Sequence, residues 1–152
     1  MSANPLGRLT KSRGLPAITE LSAHRQWVAW RYKEVTNKDG STKLTKPPVN
    51  PMHGGGASHS DPSTWGTFYQ ARIFAMSRKL PGVGFVLSER DGFTGIDLDD
   101  TRDPATGEAE PWALKAINFK ETYAEISPSG TGIRLIARGK VDDATKCDPA
   151  QV

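Results

Sequence analysis

Apolar residues along this chain occur in short runs with two different spacings, which predicts both strands and helices. Runs rich in aromatic and β-branched residues, typical of strands, occupy residues 26–32, 43–49, 83–87, 93–98, 123–126 and 132–137. Helices are expected at residues 63–79, where apolar residues recur every three to four positions, near 111–119, and briefly from Leu21. The order of these elements predicts an α+β fold with helices packed against a mixed or antiparallel sheet.

Turn and capping residues mark the ends of several elements. Residues 37–41 contain Asp-Gly, which supplies the positive backbone angles of a tight hairpin turn. Residues 88–92 are predicted to join the strands on either side of them as a second hairpin. Asp61 and Pro62 provide an N-cap and a first-turn proline for the helix at 63–79. The apolar stripe of this helix is expected to be core, and its members are Trp65, Phe68, Tyr69, Ile73 and Met76.

Length and composition narrow the class of protein. The chain has 152 residues, of which 36% are hydrophobic, so one domain with its own core is expected. Cys147 is the single cysteine, which excludes an internal disulfide and favours a cytoplasmic protein. No apolar run is long enough for a signal-peptide core or a membrane span. We interpret residues 1–18 as a flexible basic leader, 19–140 as the domain and 141–152 as a polar tail.

Charge is unevenly distributed along the chain. Residues 1–50 contain nine Lys or Arg and three acids, whereas residues 89–125 contain four bases and ten acids. A basic half beside an acidic centre suits a protein that binds a polyanion and holds cations next to it. A solvated surface with no partner would explain the same distribution.

Asp97 and Asp99 are the first candidates for chemistry. In a strand, residues two apart point to the same face, so both carboxylates would lie together while Ile96 and Leu98 face the core. Mg²⁺ and Mn²⁺ prefer oxygen ligands of this kind, and such a pair is the usual anchor of two-metal phosphoryl or nucleotidyl transfer. Taken alone, the Asp-x-Asp pattern is also typical of a solvated turn.

A small-residue turn at 127–132 is the second candidate, as a cradle for a triphosphate. Its glycines allow backbone amides to approach phosphate oxygens, and its hydroxyls donate hydrogen bonds. The basic residues Arg134, Arg138 and Lys140 follow at alternating spacing, so a strand would place them on one face. The predicted nucleotide-binding residues are Ser127, Ser129, Gly130, Thr131, Gly132, Arg134 and Arg138.

Six blocks in this order resemble the amino-terminal primase-polymerase domain, of the archaeo-eukaryotic primase type, of phage and plasmid replication proteins. The blocks are residues 27–32, 45–51, 61–65, 82–86, 95–99 and 127–132, and the resemblance covers about residues 20–140. It implies a catalytic core related to an RNA-recognition fold, a pair of divalent metal ions, nucleoside triphosphates and a DNA template and primer as substrates, and a helicase domain or partner.

The resemblance also implies roles for single residues. Asp97 and Asp99 match the first acidic motif and would be the catalytic metal ligands. Arg134 stands where many relatives have a histidine that contacts the incoming nucleotide; arginine still binds phosphate but cannot act as a neutral acceptor. A third acidic residue of relatives lies about twenty or more residues beyond Arg134, past Val152, the last residue of this sequence.

Two hypotheses about function follow. The first is a DNA primase and polymerase of a phage, plasmid or prophage, which transfers nucleotides with Mg²⁺ or Mn²⁺ on Asp97 and Asp99. The second is a shortened, non-catalytic module that binds nucleic acid or nucleotide. Because the third acidic residue is not in this sequence, we expect the 152-residue chain by itself to be weakly active or inactive.

Overall fold

The computed structural model describes residues 15–119 and 123–139. Thr19–Ser88 form one compact unit, and the described residues from Glu89 onward belong to another. Both units combine antiparallel strands with helices, so the predicted α+β class is confirmed. Among the described residues, every helix is too short or too polar to span a bilayer.

The first unit is built on a three-stranded antiparallel sheet and a separate two-stranded ribbon. Helix α1 (Leu15–Ser22) leads into the unit, so helix begins before the predicted Leu21. The sheet has the order β4 (Pro48–Val49), β1 (Trp27–Trp30), β5 (Gly82–Phe85). The ribbon pairs β2 (Lys33–Thr36) with β3 (Thr42–Thr45) around the predicted turn at 37–41. The predicted strand at 26–32 therefore stops at Trp30.

The core of this unit is small and combines strand and helix residues. Ala29, Val49 and Ala75 are buried together, with Phe74, Leu80 and Val83 packed against them. Trp27 is also buried, and its indole Nε1–H donates to the Leu21 carbonyl oxygen at 3.0 Å. Its ring packs edge-on against Phe68 and Phe85.

The helix predicted at 63–79 is shorter than expected. Asp61 caps only a 3₁₀ turn, Pro62–Thr64, and helix α2 (Phe68–Ser77) starts afresh at a capping box of Thr67 and Gln70. The break lies at Gly66, which exchanges two backbone hydrogen bonds with Trp27 and is therefore extended.

The predicted core stripe of this helix is wrong for three of its members. Tyr69, Ile73 and Met76 are 72%, 47% and 66% exposed, whereas Ala71 and Ala75 are buried. The two alanines permit a close approach of α2 to its neighbours, which the larger side chains would prevent. Helical spacing predicted that the face with Tyr69, Ile73 and Met76 is buried, but the face with Ala71 and Ala75 is buried instead.

The second unit is a three-stranded antiparallel sheet covered by one helix. Its elements are β6 (Phe93–Leu98), α3 (Pro111–Phe119), β7 (Tyr123–Ile126) and β8 (Ile133–Arg138), with β8 between β6 and β7. The buried cluster joins sheet and helix and consists of Leu98, Ala113, Ile117, Ile133 and Leu135. Helix α3 agrees with the prediction. The predicted hairpin at 88–92 is wrong, because β5 pairs with β1 whereas β6 pairs with β8.

Candidate functional site

One face of the β6–β8–β7 sheet carries a row of three charged side chains. Asp97 of β6 lies directly opposite Arg134 of β8, and Arg134 lies directly opposite Glu125 of β7. Side chains of directly paired residues point to the same face of an antiparallel sheet. The alternate residues, including Ile96, Leu98, Ile133 and Leu135, form the apolar face that packs with α3. Alternation therefore separates a charged face from the core.

Asp97 and Arg134 form an ion pair across the two strands. The Nε atom of Arg134 lies 3.5 Å from Oδ1 of Asp97, and the two side chains are 44% and 52% exposed. Solvent screens a pair this exposed, so its contribution to stability is between about 0 and 1 kcal/mol. Both groups remain accessible to a ligand.

Asp99 lies just beyond the end of the strand. Strand β6 stops at Leu98, and Asp99 and Asp100 form an exposed turn in which Asp100 has a φ of 51°. Buried Thr101 donates its hydroxyl to the Leu98 carbonyl oxygen at 3.0 Å, which fixes this turn. The strand alternation that was expected to place Asp99 beside Asp97 therefore does not extend to Asp99. The sequence also predicted that Asp97 and Asp99 lie on a central strand of the sheet, which is wrong, since β8 and not β6 is the middle strand.

The turn at 127–132 joins β7 to β8 and is closed by its own side chains. Ser127 accepts from the Gly132 amide at 3.0 Å, and its backbone amide donates to the Gly132 carbonyl at 2.9 Å. The hydroxyls of Ser127, Ser129 and Thr131 form a chain of two hydrogen bonds, each 2.9 Å long. Gly130 has a φ of 81°, which a residue with a side chain rarely adopts.

The turn lies at the same end of the sheet as Asp99. Ile133, the first residue of β8, is opposite Leu98, the last residue of β6. A Cβ atom added to Gly132 would come within 3.0 Å of the Leu98 carbonyl oxygen. The hydroxyl-rich turn and the acidic turn thus follow adjacent strand ends.

Arg138 lies at the opposite end of β8. It is paired with Phe93, four residues along the strand from Arg134, which is about 13 Å at 3.3 Å per residue. Arg134 and Arg138 share a face, as predicted from their spacing, but only Arg134 is close to the turn. Lys140 lies outside the described residues, as do Asp142, Asp143 and Asp148, the acids of the predicted polar tail.

These positions can be compared with known proteins. No protein-family model matches the chain. The chain is 37% identical over 132 residues to a DNA primase-polymerase of Nitratiruptor phage NrS-1, and the match covers 87% of this chain. The resemblance to phage primase-polymerases is confirmed. The matched segment is 17% of the length of that phage protein.

The carboxylates fit a divalent cation of the kind that primase-polymerases are expected to use. Asp97 on β6 and Asp99 in the turn that follows are exposed oxygen donors two residues apart, and Mg²⁺ is commonly held by one or two carboxylates together with substrate phosphates. In residues 15–119 and 123–139 there is no group of three His, Cys, Asp or Glu side chains arranged as metal ligands.

Two residues of the charged face were missed by sequence reasoning. Tyr123 donates its hydroxyl to Oε2 of Glu125 at 2.7 Å, on the side of Arg134 away from Asp97. Burial, followed by the hydrogen bond to Glu125 and the charge of Glu125, raises the pKa of Tyr123 above its usual range. The signal was present, because pairing the strands around the 127–132 turn puts Glu125 opposite Arg134.

Arg102 was also missed, although it supports the hydroxyl-rich turn. Its Nη1 atom donates to the Gly130 carbonyl at 2.8 Å, and its backbone amide donates to the Thr131 carbonyl at 2.9 Å. Its Nε atom is buried and, among the described residues, has no hydrogen-bond partner. The residues around Arg102 predict only a polar loop, with no sign that one arginine side chain reaches across to the turn.

Proposed function

We propose that this chain is part of a DNA primase-polymerase of a phage, plasmid or prophage and contributes to metal-dependent nucleotidyl transfer. The observation that carries the proposal is the similarity to the phage primase-polymerase over 87% of the chain, in a segment that contains exposed carboxylates beside a hydroxyl-rich turn. DNA template, primer and nucleoside triphosphates would be its substrates, and a helicase domain or partner belongs to the same proposal.

Asp97 and Asp99 are the proposed catalytic metal ligands. Together they supply two negative charges at the end of β6, and both side chains are open to solvent. A Mg²⁺ or Mn²⁺ ion held by these two carboxylates would supply positive charge to activate an attacking 3′ oxygen and to stabilise the leaving phosphate oxygens.

The 127–132 turn and Arg134 are the proposed triphosphate-binding groups. Hydroxyls of Ser127, Ser129 and Thr131 now bond to one another, so each has a donor that can be redirected to a phosphate oxygen. Arg134 shares its guanidinium with Asp97, and a phosphate would compete for it. Glu125 is paired with Arg134 on the neighbouring strand. Its carboxylate would therefore stay next to Arg134 if a phosphate replaced Asp97 as the partner of the guanidinium.

The test is whether nucleotide binding depends on the two carboxylates and on a metal. We expect a nucleoside triphosphate to bind the chain more tightly with Mn²⁺ than without it, and the double variant Asp97→Asn, Asp99→Asn to lose this difference. Asp100→Asn removes one charge from the adjoining residue, and asparagine tolerates its left-handed backbone, so it is the matched control for the single variants Asp97→Asn and Asp99→Asn, each of which should reduce the difference. Arg134→Ala should weaken triphosphate binding by about 1 to 3 kcal/mol.

The same titrations separate the two hypotheses. Triphosphate affinity that is equal with and without Mn²⁺, and unchanged in the double variant, would favour the non-catalytic binding module. Primer extension by the replication protein that contains this segment, if it survived both substitutions, would overturn the catalytic assignment.

A further inference from the structure

The β2–β3 ribbon, residues 31–46, is an exposed and strongly basic part of the first unit. It contains Arg31, Lys33, Lys38, Lys43 and Lys46 and two acids, Glu34 and Asp39. All residues from 31 to 44 are exposed, including Val35 and Leu44, which are 39% and 58% exposed. The ribbon therefore buries little apolar surface on either face.

Both lysines of the two paired strands lie on one face of the ribbon. Lys33 pairs with Thr45, and Val35 pairs with Lys43, so these four side chains share a face. Glu34, the one acid within the two strands, points to the opposite face together with Leu44. Lys33 and Lys43 are diagonal neighbours, with a spacing of about 7–8 Å. Two lysines at this spacing can contact neighbouring phosphates of one nucleic acid strand.

The ribbon is stabilised by its turn more than by a core. Asp39 accepts hydrogen bonds from the Ser41 amide at 2.9 Å and from the Ser41 hydroxyl at 2.6 Å, and Asn37 donates to the same hydroxyl at 2.9 Å. Gly40, with a φ of 84°, closes the turn. These bonds to Ser41 lower the pKa of Asp39, which therefore stays ionised and bonded at neutral pH. An isolated two-stranded hairpin is marginally stable, so these bonds hold the basic face in a defined shape.

We propose that the Lys33–Lys43 face of this ribbon binds the phosphate backbone of a nucleic acid strand. Phosphate contacts by lysine carry no sequence information, but they set affinity and register. The opposite charge of a polyanion is what this face complements, and Val35 between the lysines offers an apolar contact for sugar or base. The choice of nucleic acid as the polyanion rests on the proposed function, whereas the ribbon is a site separate from Asp97, Asp99 and the 127–132 turn.

Salt dependence of binding provides a quantitative test. Each phosphate neutralised on a single strand contributes about 0.7 to the slope of log affinity against log salt. The variant Lys33→Gln, Lys43→Gln should therefore lower the slope for a labelled single-stranded deoxyoligonucleotide by about 1.4. Between about 50 and 200 mM salt, the affinity advantage of the unsubstituted protein should shrink about sevenfold. The substituted positions are exposed, so the free energy of unfolding should change by less than about 0.5 kcal/mol.

The control variant Arg72→Gln, Lys115→Gln removes the same charge from exposed helix positions and should leave the slope nearly unchanged. An equal fall in both double variants would mean that net charge alone is responsible and would overturn the proposal, as would an unchanged slope in the ribbon variant. The proposal also fails if the ribbon substitutions reduce binding to anionic lipid vesicles but not to the oligonucleotide.

A second titration distinguishes failure of the ribbon site from failure of the proposed function. The Lys33→Gln, Lys43→Gln variant and the Arg72→Gln, Lys115→Gln variant should both bind nucleoside triphosphate in the presence of Mn²⁺ with the affinity of the unsubstituted protein. If triphosphate does not bind at all while the ribbon effect persists, the proposed function fails and the ribbon assignment stands.

Discussion

Replacing Asp97 with asparagine should separate metal binding from stability. The only ion pair that the described structure gives this residue is the 3.5 Å contact with Arg134, in which both side chains are about half exposed. Two unit charges at that distance attract by about 1.2 kcal/mol in bulk water, and measured exposed pairs fall between about 0.2 and 1 kcal/mol. We therefore expect Asp97→Asn to lower the free energy of unfolding by less than about 1 kcal/mol.

Metal affinity should respond much more strongly. Loss of a group that only supports a metal ligand usually costs about 10–100-fold in affinity, and loss of a direct carboxylate ligand should cost at least as much. Urea unfolding and Mn²⁺ titration of the same preparation measure the two effects side by side. A double-mutant cycle with Arg134→Gln should give a coupling free energy below about 1 kcal/mol.

Two results would contradict this reasoning. A loss of unfolding free energy above about 2 kcal/mol would show that the ion pair stabilises the fold more than its exposure to solvent implies. Unchanged Mn²⁺ affinity in a folded Asp97→Asn variant would remove Asp97 from the metal site.

Two further predictions concern the support of the site. Gly132→Ala should lower the free energy of unfolding by about 1–3 kcal/mol, because the new Cβ would lie 3.0 Å from the Leu98 carbonyl oxygen. Gly56→Ala is the control and should be nearly neutral, because no heavy atom lies within 4 Å of its new Cβ. Equal losses in the two variants would refute the close approach at Gly132. The raised pKa of Tyr123 stabilises the folded state fully below the ordinary tyrosine value of about 10 and progressively less as the pH rises above it. The free energy of unfolding should therefore fall less steeply with pH in the alkaline range in Tyr123→Phe than in the unsubstituted protein, as measured by urea unfolding across that range; an equal fall in both proteins would contradict the raised pKa.

Local patterns predicted the second unit well, and pairing between strands was the part they missed. The strand at 93–98 and the helix at 111–119 coincide with β6 and α3, because alternation and helical periodicity are properties of the residues themselves. The wrong hairpin at 88–92 arose because strand pairing depends on partners far along the chain. Nothing in residues 83–98 indicates that β5 pairs with β1, or that β6 pairs with β8.

The failure at α2 has a different physical cause. Tyr69, Ile73 and Met76 do recur at helical spacing, yet packing distance decided which face is buried. Ala71 lies one turn from Ala75, and a face with two small side chains can approach a sheet more closely than a face with three large ones. A periodicity argument that weighs hydrophobicity alone favours the large residues and ignores this geometry.

At the charged face, strand register allows some neighbouring side chains to be predicted from the sequence. Once the turn at 127–132 is accepted as a β-turn connection, counting outward pairs Ile126 with Ile133 and then Glu125 with Arg134. Because side chains alternate with period two, this pairing assigns Glu125 and Tyr123 to the face of Arg134 from the sequence alone. The pairing of Arg134 with Asp97 does need the fold, because the segment between β6 and β8 contains α3 and β7. The sequence thus predicts that Glu125 neighbours Arg134, whereas the structure is needed to show that Asp97 does.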